Sequence, residues 1–352
     1  SEEDIFSEKL ETEQPTVPPA TIGEPAEQTE KSEEVKRKKK LIMFRKVGNL
    51  LLEPVYNNGQ IQFCIFDLES RNYTIVPFHY DESNIMYVPY PCEQLVRENF
   101  MFLPSEPEEY GSTSNLVEQI QRRLHRWCDY EVKYEKLDAY YVLMTWLFDV
   151  MPNVPYRRAL GDWGEGKTRW LETMLSVCRL GYKLGASASS AVIYRWSDII
   201  RGTMGIDENL FSRNSDQGQA ILNILNSGYS KATGFVTRCI GENHKPQAFI
   251  SYCPKLIAAR GKFGDQATES RTITHNSYKL ERLDIPTLLS NEFYQEAVTI
   301  RNQSLRWRFD HYTENFQFDT NFEALKMEPR LKEIMLPLVS IVENQEVKSI
   351  LT

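Results

Sequence analysis

The sequence holds no run of about 18 apolar residues, so no segment of it reads as a membrane-spanning helix. It has no basic start followed by an apolar stretch; the N-terminus is acidic, which excludes the reading of a secretory leader there. The six cysteines (Cys64, Cys92, Cys128, Cys178, Cys239 and Cys253) form no C-x-x-C pair and have no histidine at zinc-ligand spacing. Neither a disulfide framework nor a structural zinc is expected, and free thiols point to a reducing, cytoplasmic setting. Internal repeats are absent. Ser1 and a helical pattern running to the last residue point to a trimmed chain.

What is present is enough for one sizeable core or two: 352 residues, 41% of them hydrophobic. The net charge of −8 is unevenly placed. Residues 1–34 carry eleven acidic and two basic residues, and the rest carries 39 basic and 38 acidic. The body is therefore nearly neutral, and five of its positive charges sit in "KRKKK", residues 36–40. Any nucleic-acid partner would have to be held by focused loops rather than by a basic face.

Composition divides the chain. Residues 1–40 read as a disordered acidic tail ending in the basic run, which is either a solvated charge run or a phosphate-binding arm or nuclear signal. Residues 41–103 carry short β-branched and aromatic runs broken by Asn-Asn-Gly and Ser-Arg-Asn turns, the pattern of a small β-rich module. Residues 104–152 read as a linker and helical segment. Ser114 or Asn115 is the expected cap of one helix, and "EKLDAYYVLMTWLFDVM" is a second, apolar on nearly every side and hence buried. Strands and helices alternate over 153–283, which argues for α/β layering, and 284–352 reads as helical.

The most informative stretch is "GDWGEGKTR". Gly161, Asp162, Trp163, Gly164, Glu165, Gly166, Lys167 and Thr168 fit G-x-x-x-x-G-K-T in full, and Arg169 follows. Small residues let successive backbone N–H groups curl round phosphate oxygens, so all nine are candidate nucleotide-binding residues. Lys167 would reach the β- and γ-phosphates of ATP, and the Thr168 hydroxyl would ligate Mg²⁺. An amphipathic pattern begins at once, with Trp170, Leu171, Met174, Leu175 and Cys178 on one face, so a helix N-terminus would point at the anion. Forty residues on, "GTMGIDE" reads as a short strand ending in two acids. Asp207 would hold the magnesium through water and Glu208 would polarise the attacking water. Further on, two alternating runs flank "GENHKP", a β-hairpin with His244 and Lys245 near its tip.

Over about Val142–Arg308 the chain resembles a family of AAA+-type P-loop ATPases of prokaryotic viruses, plasmids and integrated elements, described as helicases. The resemblance rests on "YYVLMTWLFD", "GDWGEGKTRWLE", "GTMGIDE", "ILNSGYSK", "PKLIAARGKFGDQATESR" and "EAVTIRNQSLRWRF". It implies an α/β fold: a three-layer ASCE/AAA+-like core with a C-terminal helical lid, beside the β-rich module. It also implies a homo-oligomer, a hexameric ring, acting on DNA and on single strands in particular. "ATESR" matches the motif whose arginine completes a neighbouring subunit's site, which makes Arg271 the candidate finger. In related ring helicases a basic hairpin tip grips the phosphate backbone, the role His244 and Lys245 would take. Two residues depart from the pattern: Ala259 stands where a polar sensor residue is usual, with Arg260 beside it, and Gly205 stands where a bulky apolar residue is usual. Both bear on hydrolysis more than on binding.

The leading reading is thus an oligomeric ATPase acting on DNA, a replicative helicase or its loader. A second is a regulatory ATPase that switches on a protein or DNA partner without unwinding. A small-molecule kinase lacks an evident acceptor site and has no use for Arg271.

Overall fold

Seven strands open the described chain: β1 (Lys39–Ile42), β2 (Arg45–Val47), β3 (Leu50–Asn57), β4 (Gln60–Asp67), β5 (Tyr73–Val76), β6 (His79–Tyr80) and β7 (Met86–Pro89). The link from β3 to β4 is Asn58-Gly59, with φ of 50° and 81°. Two consecutive left-handed residues make the hairpin turn whose twist matches its strands, and Asn and Gly adopt it at least cost. β2 to β5 form a four-stranded antiparallel sheet, while β1, β7 and β6 form a separate three-stranded one. Alternation splits the apolar side chains of the first: Leu52, Phe63 and Ile65 cluster with Tyr87, and Leu51, Val55 and Phe66 join the main core. The computed structural model describes residues 38–185, 188–207, 216–240, 244–279 and 281–343. The acidic stretch 1–34, Lys36 and Arg37 lie outside them. Lys39 and Lys40, read from the sequence as the end of a charged tail, are strand residues paired with Met86 and Tyr87.

Beyond α1 (Glu93–Arg97), β8 (Met101–Phe102) leaves the N-terminal sheets and becomes the antiparallel edge of a central six-stranded sheet, paired with β10 (Gly181–Lys183). The other members are β9 (Tyr156–Leu160), β11 (Met204–Asp207), β14 (Lys255–Ala259) and β15 (Thr272–Asn276). The order is β15-β9-β14-β11-β10-β8, and every pairing except the last is parallel. A parallel sheet needs both faces covered, and "KLIAA" of β14 is buried at all five positions. Successive arginines on β9 are fully buried on opposite faces. Arg157 pairs with Asp138 at 2.5 Å, and Arg158 forks onto Glu269 at 2.8 and 2.6 Å.

Helix α2 (Thr113–Trp127), α3 (Val132–Leu147) and α4 (Lys167–Leu175) lie together, with Trp170 of α4 donating to Asp138 of α3 at 2.9 Å. The expected cap of α2 at Ser114 or Asn115 is displaced: Ser112 is the N-cap, its Oγ accepting from Asn115 N at 3.1 Å. The serine preceding the run "TSN" satisfies the orphan N–H, so the later polar residues are already helical. α5 (Ser190–Ile200) packs on the hairpin of β12 (Phe235–Ile240) and β13 (Lys245–Ile250), and α6 (Asp216–Ser227) abuts α7 (Gln266–Glu269). α8 (Asn291–His311) packs on α2 and α3, and is followed by α9 (Thr320–Ala324) and α10 (Pro329–Val339). A buried ion network ties the N-terminal sheet to this body: Glu53 of β3 accepts from Arg179 at 2.8 Å and from Arg308 of α8 at 2.8 Å. Among the described residues no helix is long and apolar enough to cross a membrane. The architecture is mixed α/β, with a mostly parallel sheet compatible with a nucleotide-binding fold.

Candidate functional site

The loop between β9 and α4 holds the glycine motif at the C-terminal end of the parallel strands, where open α/β sheets place their ligands. Gly164 and Gly166 have φ of 78° and 75°, values that strain any residue with a Cβ. At Gly161 the constraint is space instead: a Cβ there would come within 3.1 Å of the Ser277 Cβ and carbonyl oxygen. Gly166 is the N-cap of α4 and has no side chain to occupy the first N–H groups, so they face the loop. Within the loop Asp162 N donates to Glu165 Oε2 at 2.5 Å, and Lys167 Nζ donates to the Asp162 carbonyl. The Arg169 guanidinium donates to the carbonyls of Pro286 and Thr287 at 3.0 and 2.6 Å. It thereby ties the C-terminal segment to the loop, while still lining the cleft beside it.

The acidic strand meets the loop directly. Thr168 Oγ1 donates to Asp207 Oδ2 at 3.3 Å. These two hard oxygen donors suit Mg²⁺, which takes one or two protein oxygens and fills its octahedron with water and phosphate. Glu208, the next candidate, lies outside the described residues. β14 separates β9 from β11, and Arg260, just beyond its end, lines the cleft with the loop and Asp207. Its guanidinium lies 4.1 Å from the Trp163 ring centre. Trp163, Lys167, Thr168, Asp207 and Arg260 line one open cleft of about 340 Å³. Ala259, where a polar sensor was expected, is buried in the sheet at 4% exposure, so the strand's polar contribution to the cleft is Arg260. Its position one residue beyond an apolar strand was the available signal.

Gly205 has a packing reason. A Cβ at that position would lie 2.6 Å from Leu175 Cδ2, so the missing side chain lets α4 settle on β11. The glycine read from the sequence as a departure bearing on hydrolysis is thus a point of close packing between α4 and β11.

Arg271 is not part of this cleft. It precedes β15, whose first residue pairs with Tyr156 at the start of β9, whereas the loop follows the end of β9. Five residues of strand, roughly 16 Å, lie between. Arg271 donates to Asn226 Oδ1 at 2.6 Å and stacks on Tyr229 at 4.5 Å. Tyr229 in turn bonds Glu333 of α10. The pair His244 and Lys245 sits exposed where the chain enters β13, with His244 at φ 49° in the turn. The hairpin is anchored at its base by Lys255, buried, whose Nζ donates to the carbonyls of Gly228, Ser251 and Cys253 at 3.2, 3.0 and 3.0 Å. Burial lowers the Lys255 pKa below the usual lysine value, and three carbonyls supply the polar contacts that water would otherwise make.

No protein-family model matches the chain, and no curated protein matches it. Among solved structures, the C-terminal region of NrS-1 is 12% identical with a TM-score of 0.38, the match covering 88% of this chain and 71% of that one. A full-length MCM homolog from Methanopyrus kandleri is 10% identical with a TM-score of 0.35, over 75% of this chain and 57% of that one. Likeness at this level assigns neither a family nor an activity, and the functional reading rests on the residues of the cleft.

Proposed function

We propose that the chain is an AAA+-type ATPase that binds ATP with Mg²⁺ in the cleft between the glycine loop and Asp207, and acts on DNA as an oligomer. The observation that carries the nucleotide reading is the meeting of Thr168 with Asp207 beside a complete G-x-x-x-x-G-K-T loop. In this reading the N–H groups of Gly164 to Thr168 surround the β-phosphate. Lys167 leaves the Asp162 carbonyl for the β- and γ-phosphates, which are the stronger acceptors. Thr168 and Asp207 would hold Mg²⁺, which when bound neutralises charge on the phosphate oxygens. Glu208 takes the proton of the attacking water as general base, and Arg260 steadies the terminal phosphate from the other strand end. Arg271, remote from its own loop, would serve a neighbouring subunit, which is why the reading includes a homo-oligomer; a hexameric ring is the form the family resemblance implies. Lys167→Ala is expected to abolish ATP–Mg²⁺ binding with the fold retained by circular dichroism. Equal affinity of variant and parent by calorimetry overturns the reading.

The DNA reading rests on the exposed pair His244 and Lys245, one pair per subunit, since the body is nearly neutral. Repeated weak contacts in an assembly supply affinity that one loop lacks. Replacing His244 and Lys245 by Ala should weaken binding of single-stranded DNA and flatten its salt dependence, with ATP binding unchanged. If only removal of residues 1–40 weakens DNA binding, the hairpin has no such role. The regulatory switch, an ATPase that assembles without unwinding, then becomes the better reading than helicase or loader.

A further inference from the structure

Two cavities meet at the glycine loop. The first is the cleft already described, polar and cationic through Lys167 and Arg260. The second, of about 230 Å³, is walled by Trp127, Tyr130, Trp170, His275, Tyr278 and Pro286. Gly164, Glu165, Gly166 and Arg169 line both. A loop with a cationic hollow on one flank and an aromatic hollow on the other suits a ligand that is a polyanion at one end and a flat ring at the other. The second hollow is below the ~300–1,000 Å³ of sites that enclose a whole drug-sized molecule, and is of a size for one heterocycle.

His275 is the residue that asks for a ligand. It lies on β15 at 1% exposure, with Tyr130 and Trp170 rings each 5.0 Å away and Tyr134 at 5.6 Å. Among the described residues neither of its ring nitrogens has a hydrogen-bond partner, although both are buried. A buried polar group left without a hydrogen bond destabilises the fold, so a polar ring kept in such a place points to a partner supplied from outside the protein. Burial, aided by the charge of Arg157, holds the imidazole well below the usual histidine range, so it is neutral and offers one donor and one acceptor.

We propose that this second cavity seats the nucleobase of the bound triphosphate and that His275 reads adenine there; the proposal rests on the nucleotide reading above. Adenine carries ring-nitrogen acceptors and an exocyclic N–H donor, and one nitrogen of the neutral imidazole can meet either kind; the two ring nitrogens diverge, so His275 makes one such bond to the base. Guanine presents adjacent N–H donors that call for a free carboxylate, and both carboxylates lining the cavity are engaged. Asp129 accepts from Glu281 N and Arg282 N at 2.8 and 3.0 Å, and Glu165 accepts from Asp162 N.

The test is calorimetry on the full chain with Mg²⁺, using ATP, GTP, CTP and inorganic tripolyphosphate as ligands. ATP should bind tighter than GTP, CTP and tripolyphosphate by roughly tenfold or more, the equivalent of one good hydrogen bond. His275→Leu should bring ATP and GTP to within about threefold of each other and leave tripolyphosphate affinity unchanged. His275→Gln, which keeps a donor and an acceptor, should restore the preference, as a purely structural role would not. Tyr278→Ala, at the partly exposed wall, removes an aromatic side without disturbing the core; it should weaken ATP and spare tripolyphosphate. Equal affinity of the parent for ATP and tripolyphosphate, or an ATP preference that survives His275→Leu, overturns the base site and leaves the phosphate reading standing. Binding of neither ATP nor tripolyphosphate overturns both.

Discussion

Thr168 Oγ1 and Asp207 Oδ2 stand 3.3 Å apart, although 39 residues separate them in the chain. They meet because β14 places β9 and β11 two strands apart and α4 crosses that gap to pack on β14 and β11. Asp207→Asn keeps an acceptor for the threonine but removes the charge. It should weaken ATP binding in the presence of Mg²⁺ by roughly tenfold or more, with little effect on binding measured in excess chelator. Calorimetry under the two conditions checks this, and an equal loss in both would exclude a metal role.

Gly205 is where α4 touches the acidic strand. Gly205→Val should destabilise the protein by about 1–3 kcal/mol through overpacking against Leu175. Leu175→Ala in the same chain should return part of that loss, because the two side chains then share one space. Urea unfolding of both variants and of the double variant measures the coupling; strict additivity would mean the contact is unimportant.

Arg260 stacks on Trp163, the one strongly exposed tryptophan of the six, at 75% exposure. Arg260→Ala should lower ATP turnover by about 10²–10³-fold, the size of losing one aimed donor at a developing charge. ATP affinity should change far less. A turnover equal to that of the parent would leave Arg260 as a loop-packing residue.

Arg271 lies at the far end of the strands from its own loop, so its removal should act across subunits. Arg271→Ala and Lys167→Ala should each lose turnover. A mixture of the two should recover part of it, since each supplies what the other lacks. Mixed oligomers that form and stay inactive would argue against a finger.

Asp149 contributes to the acid end of the stability profile. Burial alone would raise its carboxyl, but Arg308 at 2.7 Å and Arg179 outweigh that and hold it at about 2. A carboxylate depressed below its unfolded value of about 3.9 contributes stability that is complete above that value. The contribution is lost as pH falls from about 4 towards 2. Asp149→Asn should cost roughly 3–5 kcal/mol near neutrality, by leaving Arg308 with less than its charge requires. It should also flatten the stability curve between about pH 4 and pH 2. Denaturant midpoints across that range give the slope.

The sequence by itself determined what local chemistry can specify. Four residues between Gly161 and Gly166, then Lys167 and Thr168, allow a loop that curls and a helix that starts, whatever surrounds them. Asn58-Gly59 and the alternation on either side of His244 settle hairpins in the same local way, because turn dihedrals and a period of two need no distant partner. The apolar girdle of α3 likewise announced its burial. Only the tertiary structure decided which distant residues share a space. Gly205 reads as a flaw until Leu175 is seen against it. Ser112 displaces the expected cap because Asn115 N, not a side-chain ranking, chooses the acceptor. β8 belongs to the central sheet because β10 offers it an edge. His275 is one of five histidines in a row of letters, and becomes a candidate reader of a base only when Tyr130, Trp170 and the glycine loop close round it. Burial and partnership are properties of three-dimensional neighbours, and residues far apart in the chain become neighbours only through the order of strands in the sheet.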